Sequence, residues 1–331
     1  MSIREDPIRT RSIVIIAFVV LAAGVGAYFV WSHYAQPKAP PQLEYVVSPS
    51  LDVLNTPAVV HETVAILKYG DRVEILRIRG DWAQVRVRGG AEGWISTKEV
   101  IPAKAFEAGQ KLLHQVSGMQ AQATGHATLA VNIHVEPGRD APVLGLFTEG
   151  QNLDVFNRRV IARNAAGSGA SMAASTPSVS DVWYLVRSDS QAGWVLGRMI
   201  ALDIPEAISQ YAANSNVVAW FVLDKVRDGD AHVPQYLVAD REGTVQFDYT
   251  RVRVFTWSRK THHYVTSFVQ GGLKGIFPIR TERHHNVPYF RLRLVANSGE
   301  KYQGVYGLFR TIVRHIGRVD GWESNAMPGR R

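Results

Sequence analysis

Adjacent histidines occur twice in the C-terminal third of the sequence, as His262-His263 and His284-His285, with Glu282 and Asp248 in the same region. Neighbouring side chains on a strand point to opposite faces, so neither pair chelates one ion by itself. A metal site would have to take one histidine from each pair together with Glu282 or Asp248, whereas zinc commonly uses three such ligands plus water. No helix-borne H-x-x-x-H or H-E-x-x-H spacing occurs. Solvated loop histidines are therefore the reading adopted, with no metal and no cofactor. The sequence has no cysteine, which removes disulfides, thiolate metal sites and a thiol nucleophile together. It also lacks a Gly-rich phosphate loop and a G-x-S-x-G elbow. Paired carboxylates for glycoside hydrolysis would have to come from an acid-poor C-terminal region. No catalytic residue is assigned, and the expectation is a protein that binds rather than an enzyme.

Arginines form the second pattern. In "RVRVF", Arg251 and Arg253 share one strand face while Val252 and Val254 share the other. In "FRLRLV", Arg291 and Arg293 alternate in the same way with Leu292 and Leu294. If the two strands are neighbours, four guanidiniums line one exposed surface. That surface is either a solvated outer face or an anion-binding face for phospholipid, lipopolysaccharide or nucleic acid, because the planar guanidinium fork pairs with phosphate. The net charge of +8 fits such a face, and its basic excess lies from residue 216 onward.

Tryptophans form the third pattern, and they repeat. "GDWAQVRVRGGAEGWISTKEV" and "VWYLVRSDSQAGWVLGRMI" share one order: Trp82 and Trp183, Val85 and Val186, then Gly93-Trp94 and Gly193-Trp194. Upstream, Gly70 lies thirteen residues after Pro57, and Gly150 thirteen after Pro137. Landmarks in fixed order at near-equal spacing mean duplicated structural units. Each unit reads as β. "WAQVRVR" alternates with period two, Gly89-Gly90 is a tight hairpin turn, and about five short strands would close a small barrel. Trp94 and Trp194 follow glycine on a closing strand and read as core or edge packing. Trp82 and Trp183 begin their strands, where a rim tryptophan can serve recognition. All four are ligand-binding candidates, and the first-strand pair is the stronger.

The opening "LDVLNTP", the "TVAILKYGDRV" strand pair, the Trp strand and the closing "GWI" strand resemble the bacterial SH3 (SH3b) family. The resemblance covers roughly Tyr45–Pro102 and Thr128–Asp203. The second copy departs from it by a Gly/Ala/Ser-rich insert over 161–181, which reads as a flexible loop beside the Trp strand. The resemblance implies small β barrels that sit in envelope proteins or accompany wall enzymes, and that in some cases bind peptidoglycan peptides. No acidic, tyrosine-rich loop supports polyproline recognition.

The elements around the repeats complete the reading. Ile13–Trp31 runs nineteen residues without a charge, long enough to span a bilayer as a helix. Arg4, Arg9 and Arg11 precede it, which puts the N-terminus in the cytoplasm and the bulk outside, in the periplasm. A cleaved export signal is the alternative. That location argues against nucleic acid as a partner. The expected layout is a cytoplasmic tail (1–11), transmembrane anchor (12–34), Pro-rich spacer (35–43), first SH3b domain (44–102), helical linker (103–125) and second SH3b domain (126–203). A basic antiparallel β domain (216–318) and a flexible tail (319–331) follow. Within the linker, Phe106, Leu112, Leu113 and Val116 predict one amphipathic helix ending near Gly118. The fold class is thus all-β: two SH3-like barrels, a C-terminal antiparallel β domain and one N-terminal transmembrane helix. The expected function is a non-catalytic, membrane-anchored envelope protein that contacts peptidoglycan or envelope proteins. The alternatives are an envelope enzyme with a C-terminal active site using His284 or Glu282, and a pure protein scaffold.

Overall fold

The computed structural model describes residues 42–162, 180–212, 215–243, 247–324 and 327. The expected cytoplasmic tail, membrane helix and most of the Pro-rich spacer lie outside these residues, as does the insert over 163–179. No helix among the described residues is long and apolar enough to cross a membrane. The described chain is mostly β, and every sheet is antiparallel.

The first repeat comprises β1 (Gln42–Val46), β2 (Ser50–Leu54), β3 (Thr63–Lys68), β4 (Arg72–Arg79), β5 (Trp82–Arg86), β6 (Glu92–Ser96) and β7 (Val100–Pro102). They form one sheet in the order β3-β2-β6-β5-β4-β1-β7. Helix α1 (Ala103–Ser117) follows. The second repeat comprises β8 (Ala123–Ala127), β9 (Val131–His134), β10 (Val143–Phe147), β11 (Asn152–Ala162), β12 (Ser180–Arg187), β13 (Ala192–Leu196) and β14 (Ile200–Leu202). Its order, β10-β9-β13-β12-β11-β8-β14, matches the first position by position. Each repeat therefore has seven strands rather than five, and each encloses its own core, around Val53, Val85 and Ile95 in one and Ile133, Val186 and Val195 in the other.

The equivalence reaches single atoms. The Gly70 N–H donates to Val46 O at 2.9 Å, and the Gly150 N–H to Ala127 O at 2.8 Å. Both glycines have positive φ, +85° and +76°, which favours glycine. A Cβ on Gly93 would stand 2.6 Å from Val53 Cγ1, and one on Gly193 2.4 Å from Ile133 Cγ2. Glycine before each closing tryptophan is thus a packing requirement met twice. The hairpin of β11 and β12 pairs Ile161 with Asp181 and Ala162 with Ser180, so the expected loop is shorter at both ends than 161–181.

Helix α2 (Glu206–Ala212) and eight strands complete the chain: β15 (Asn216–Asp228), β16 (Ala231–Arg241), β17 (Arg251–Ser258), β18 (His263–Gln270), β19 (Gly275–His284), β20 (Val287–Val295), β21 (Lys301–Phe309) and β22 (Ile312–Asp320). They form two four-stranded meanders, β15-β16-β17-β18 and β19-β20-β21-β22. Phe221, Leu237 and Val254 of the first sheet share a core with Ile279, Phe290 and Leu292 of the second, so the domain is a sandwich. Helix α2, which the pattern of the sequence did not predict, covers the outer face of the first sheet by burying Ile208 against Val238, Phe255 and Tyr264. The expected flexible tail is tied down where it is described. Val319 and Asp320 belong to β22, and Trp322 Nε1 donates to Leu294 O at 3.1 Å.

Side chains act as a surrogate strand along one edge of the sandwich, and two of the three, Gln120 and Gln122, come from the start of the second repeat. β19 is an edge of its sheet, and its pairing with β20 is interrupted between Ile276 and Arg280. Three alternate N–H groups along this edge find side-chain oxygens. Phe277 donates to Asp248 Oδ2 at 2.9 Å, Ile279 to Gln122 Oε1 at 2.7 Å and Thr281 to Gln120 Oε1 at 2.9 Å. Gln122 Nε2 returns a bond to Ile279 O at 3.1 Å. An open edge strand is thereby covered rather than left as a template for aggregation.

Candidate functional site

The paired tryptophans occupy equivalent places in different surroundings. On β5, Trp82 and Gln84 share the face away from the core and stand opposite Ser96 and Trp94 of β6. On β12, Trp183 and Leu185 stand in the same way opposite Leu196 and Trp194 of β13. The polar pair Gln84 and Ser96 in the first repeat is thus a leucine pair in the second. Helix α1 lies over the leucine pair. Leu112, Leu113 and Val116 pack on Trp183, Leu185 and Trp194, and Trp183 is only 2% exposed. The edge of the His134 ring stands against the Trp183 indole at 5.2 Å between centroids. Trp183 is therefore a core residue, and the rim placement expected for it is corrected: the helix lies where a ligand would have approached. Trp194 and Trp94 are both buried, at 8% and 9% exposure.

The first repeat keeps the equivalent face accessible. Trp82, Gln84 and Ser96 are all half-buried there. Arg77 lies over the Trp94 ring at 5.3 Å and donates from Nη2 to Gln84 Oε1 at 3.1 Å. The other end of α1 touches this repeat elsewhere, where Phe106 stacks on Tyr45 at 4.4 Å. Two indoles, a guanidinium, an amide and a hydroxyl thus share one surface. Residue-type reasoning named the tryptophans and missed Arg77, Gln84 and Ser96. The signal was available in the repeat alignment, which sets Gln84 and Ser96 against Leu185 and Leu196.

The arginines do not assemble as expected. Arg251 and Arg253 lie on β17 of one sheet, Arg291 and Arg293 on β20 of the other. Both β17 arginines close on Asp240, which is fully buried. Arg253 binds it through Nε and Nη2, each at 2.8 Å, and reaches Tyr211 O at 2.7 Å through Nη1. Arg251 bonds Asp240 at 3.3 Å, Ser215 at 3.1 Å, and Glu242. Arg291 is 2% exposed and donates to Glu282 at 2.6 Å. The single exposed face of four guanidiniums is therefore corrected: three of these arginines are tied into buried or part-buried ion pairs within their own sheets. Arg293 alone faces a cleft.

The histidine pairs are separate too. The Trp257 indole N–H, 2.7 Å away, holds the Asp228 carboxyl below its ordinary range, with His262 adding to the effect at 2.7 Å. His284 Nε2 stands 3.3 Å from Glu282, whose other oxygen serves Arg291. Asp248 is engaged by Arg158. Among the described residues no three His, Asp or Glu side chains gather as metal ligands would.

Residues 49–101, nearly all of the first repeat, match the bacterial SH3 domain family. No curated protein matches the chain. Solved structures similar to it include NlpC2 from Trichomonas vaginalis, at 11% identity and a TM-score of 0.18, covering 71% of this chain and 99% of that one. An NlpC/P60 family protein from Bacillus cereus is similar at 10% identity and a TM-score of 0.20, covering 69% of this chain and 94% of that one. Likeness at this level does not carry the fold. The expectation that the chain has no enzymatic role is set aside, the similar structures being NlpC/P60 proteins. With no cysteine in the sequence, any chemistry here runs on groups other than a thiolate. What is established is a bacterial SH3 domain over residues 49–101 within a mostly β chain.

Proposed function

We propose that the chain is an envelope protein, held at the cytoplasmic membrane by the apolar segment over 13–31, that binds peptidoglycan through the outer face of its first repeat. The observation that carries this reading is the asymmetry between equivalent faces: α1 covers Trp183, Leu185 and Trp194, whereas Trp82, Gln84, Ser96 and Arg77 stay accessible. An indole offers a large flat apolar area at low entropy cost, and polar neighbours orient a ligand that carries amides and hydroxyls. Peptidoglycan has both. On this reading the second repeat is a bacterial SH3 module as well, turned from binding to structure by the helix that covers it.

Co-sedimentation of the full chain, in nonionic detergent, with purified sacculi tests the proposal. Recognition through indoles and neutral polar groups persists in high salt, since screening acts on exposed charges. Binding is expected to fall at least about tenfold in Trp82→Ala, the loss of about 1.4 kcal/mol or more that a recognition tryptophan carries. Binding unchanged in Trp82→Ala would refute the site. No sedimentation at any salt, with capture of an envelope protein instead, would replace the ligand.

A further inference from the structure

A second site lies at the junction of the second repeat and the sandwich. The end of α1, strand β11, strand β19 and the residues after β22 enclose a cleft of about 890 Å3. Sites for small ligands span roughly 300–1,000 Å3. Its wall holds four arginines: Arg158 and Arg159 from β11, Arg280 from β19 and Arg293 from β20. The carboxylates described in the wall are already committed or largely exposed. Asp248 is engaged by Arg158 at 3.2 Å and by the Phe277 N–H. Glu282 serves the buried Arg291. Glu323, 86% exposed, reaches Arg293 only at 3.3 Å.

The buried groups point the same way. The Arg158 side chain is 1% exposed, yet its Nε has no hydrogen-bond acceptor. Arg293 Nε is likewise buried and unpartnered. Arg241 is close enough to feel both Arg158 and Asp248, and its Nε is again buried and unpartnered. Buried polar groups are normally paired, and a buried cation is strongly unfavourable unless an anion meets it. Burial, then the neighbouring Arg158, pushes the Arg241 guanidinium down from its ordinary value, and burial does the same to Arg293.

We propose that this cleft is a binding site for a small oxyanion, the phosphate or carboxylate group of a ligand, held by Arg293 with Arg158 and Arg159. The planar guanidinium fork suits either group. The site is independent of the first repeat, so Trp82→Ala leaves it intact. Glu323 is the native competitor: its carboxylate occupies Arg293 weakly until a better anion arrives.

Titration calorimetry of the full chain in nonionic detergent and phosphate-free buffer tests this, with pyrophosphate and citrate as probes at matched ionic strength. Saturable binding of at least one probe is expected, and the tighter probe identifies the group as phosphate or carboxylate. Arg293→Gln should weaken binding about tenfold or more, while Lys225→Gln, an exposed charge on the distant β15, should not change it. Glu323→Gln should tighten binding several-fold, an outcome that no loss of folding can imitate. Absence of saturable binding by both probes would overturn the proposal, as would affinities unmoved by Arg293→Gln and Glu323→Gln.

Discussion

Replacing Gln122 with alanine removes the side chain that stands in for a missing strand along β19. Gln122 is fully buried. Its amide accepts from the Ile279 N–H at 2.7 Å and donates to Ile279 O at 3.1 Å. Alanine leaves both backbone groups buried without partners, because β20 does not pair with Ile279 where the ladder is interrupted. Each unsatisfied group costs roughly 1–3 kcal/mol, so the junction should lose about 2–6 kcal/mol. Hydrogen exchange of the full chain reads this directly. A loss of 2 kcal/mol in local opening raises the exchange rate of the Ile279 amide roughly thirtyfold. Thr281, held by Gln120, should follow more weakly. Exchange at Ile279 equal to that of the unaltered protein would refute the surrogate-strand account, and with it the docking of sandwich on repeat.

Other perturbations separate the two repeats. Trp183→Ala empties a core site between α1 and β13 and should cost about 3–5 kcal/mol in denaturant unfolding, whereas the half-buried Trp82→Ala should cost clearly less; equal losses would contradict the asymmetry. Gly93→Ala and Gly193→Ala each drive a Cβ to within 2.7 and 2.8 Å of a backbone carbonyl oxygen, and should each destabilise by about 1–3 kcal/mol. The Tyr264 phenol, pushed up to about 12 by burial and by neighbouring Tyr236, stays protonated in the fold after it would ionise in the unfolded chain. That contribution is complete below the ordinary tyrosine pKa near 10 and is lost as pH rises from there to about 12. Tyr264→Phe should flatten this alkaline fall in stability, and an unchanged alkaline profile would exclude Tyr264 as its source.

What was legible in the sequence was what spacing controls. The order Trp, Val, Gly-Trp predicted two equivalent units, and the registers pair Trp82 with Ser96 and Trp183 with Leu196 in the same way. The amphipathic spacing of Phe106, Leu112, Leu113 and Val116 predicted a helix, and Leu112, Leu113 and Val116 do form its packed face. What escaped depends on partners distant in sequence. Alternation placed Arg251 and Arg253 on one face but could not show that Asp240 lies directly opposite Arg251 on β16. Nor could it show that β17 and β20 belong to different sheets. Gln120 and Gln122 carry no pattern, because their role is set by the edge of a strand more than 150 residues later. Arg158 occupies the register position held by Ile78 in the first repeat, so nothing local marks it as buried beside Asp248.

The most direct test of the central claim is site-specific photo-cross-linking in cells, with the cross-linking side chain at Gln84 or, as the internal control, at the equivalent Leu185. The account predicts that Gln84 captures peptidoglycan fragments released by muramidase digestion, and that Leu185 yields only links within the chain, to α1. Glycan captured from Leu185 and none from Gln84 would contradict it, as would protein adducts alone from Gln84.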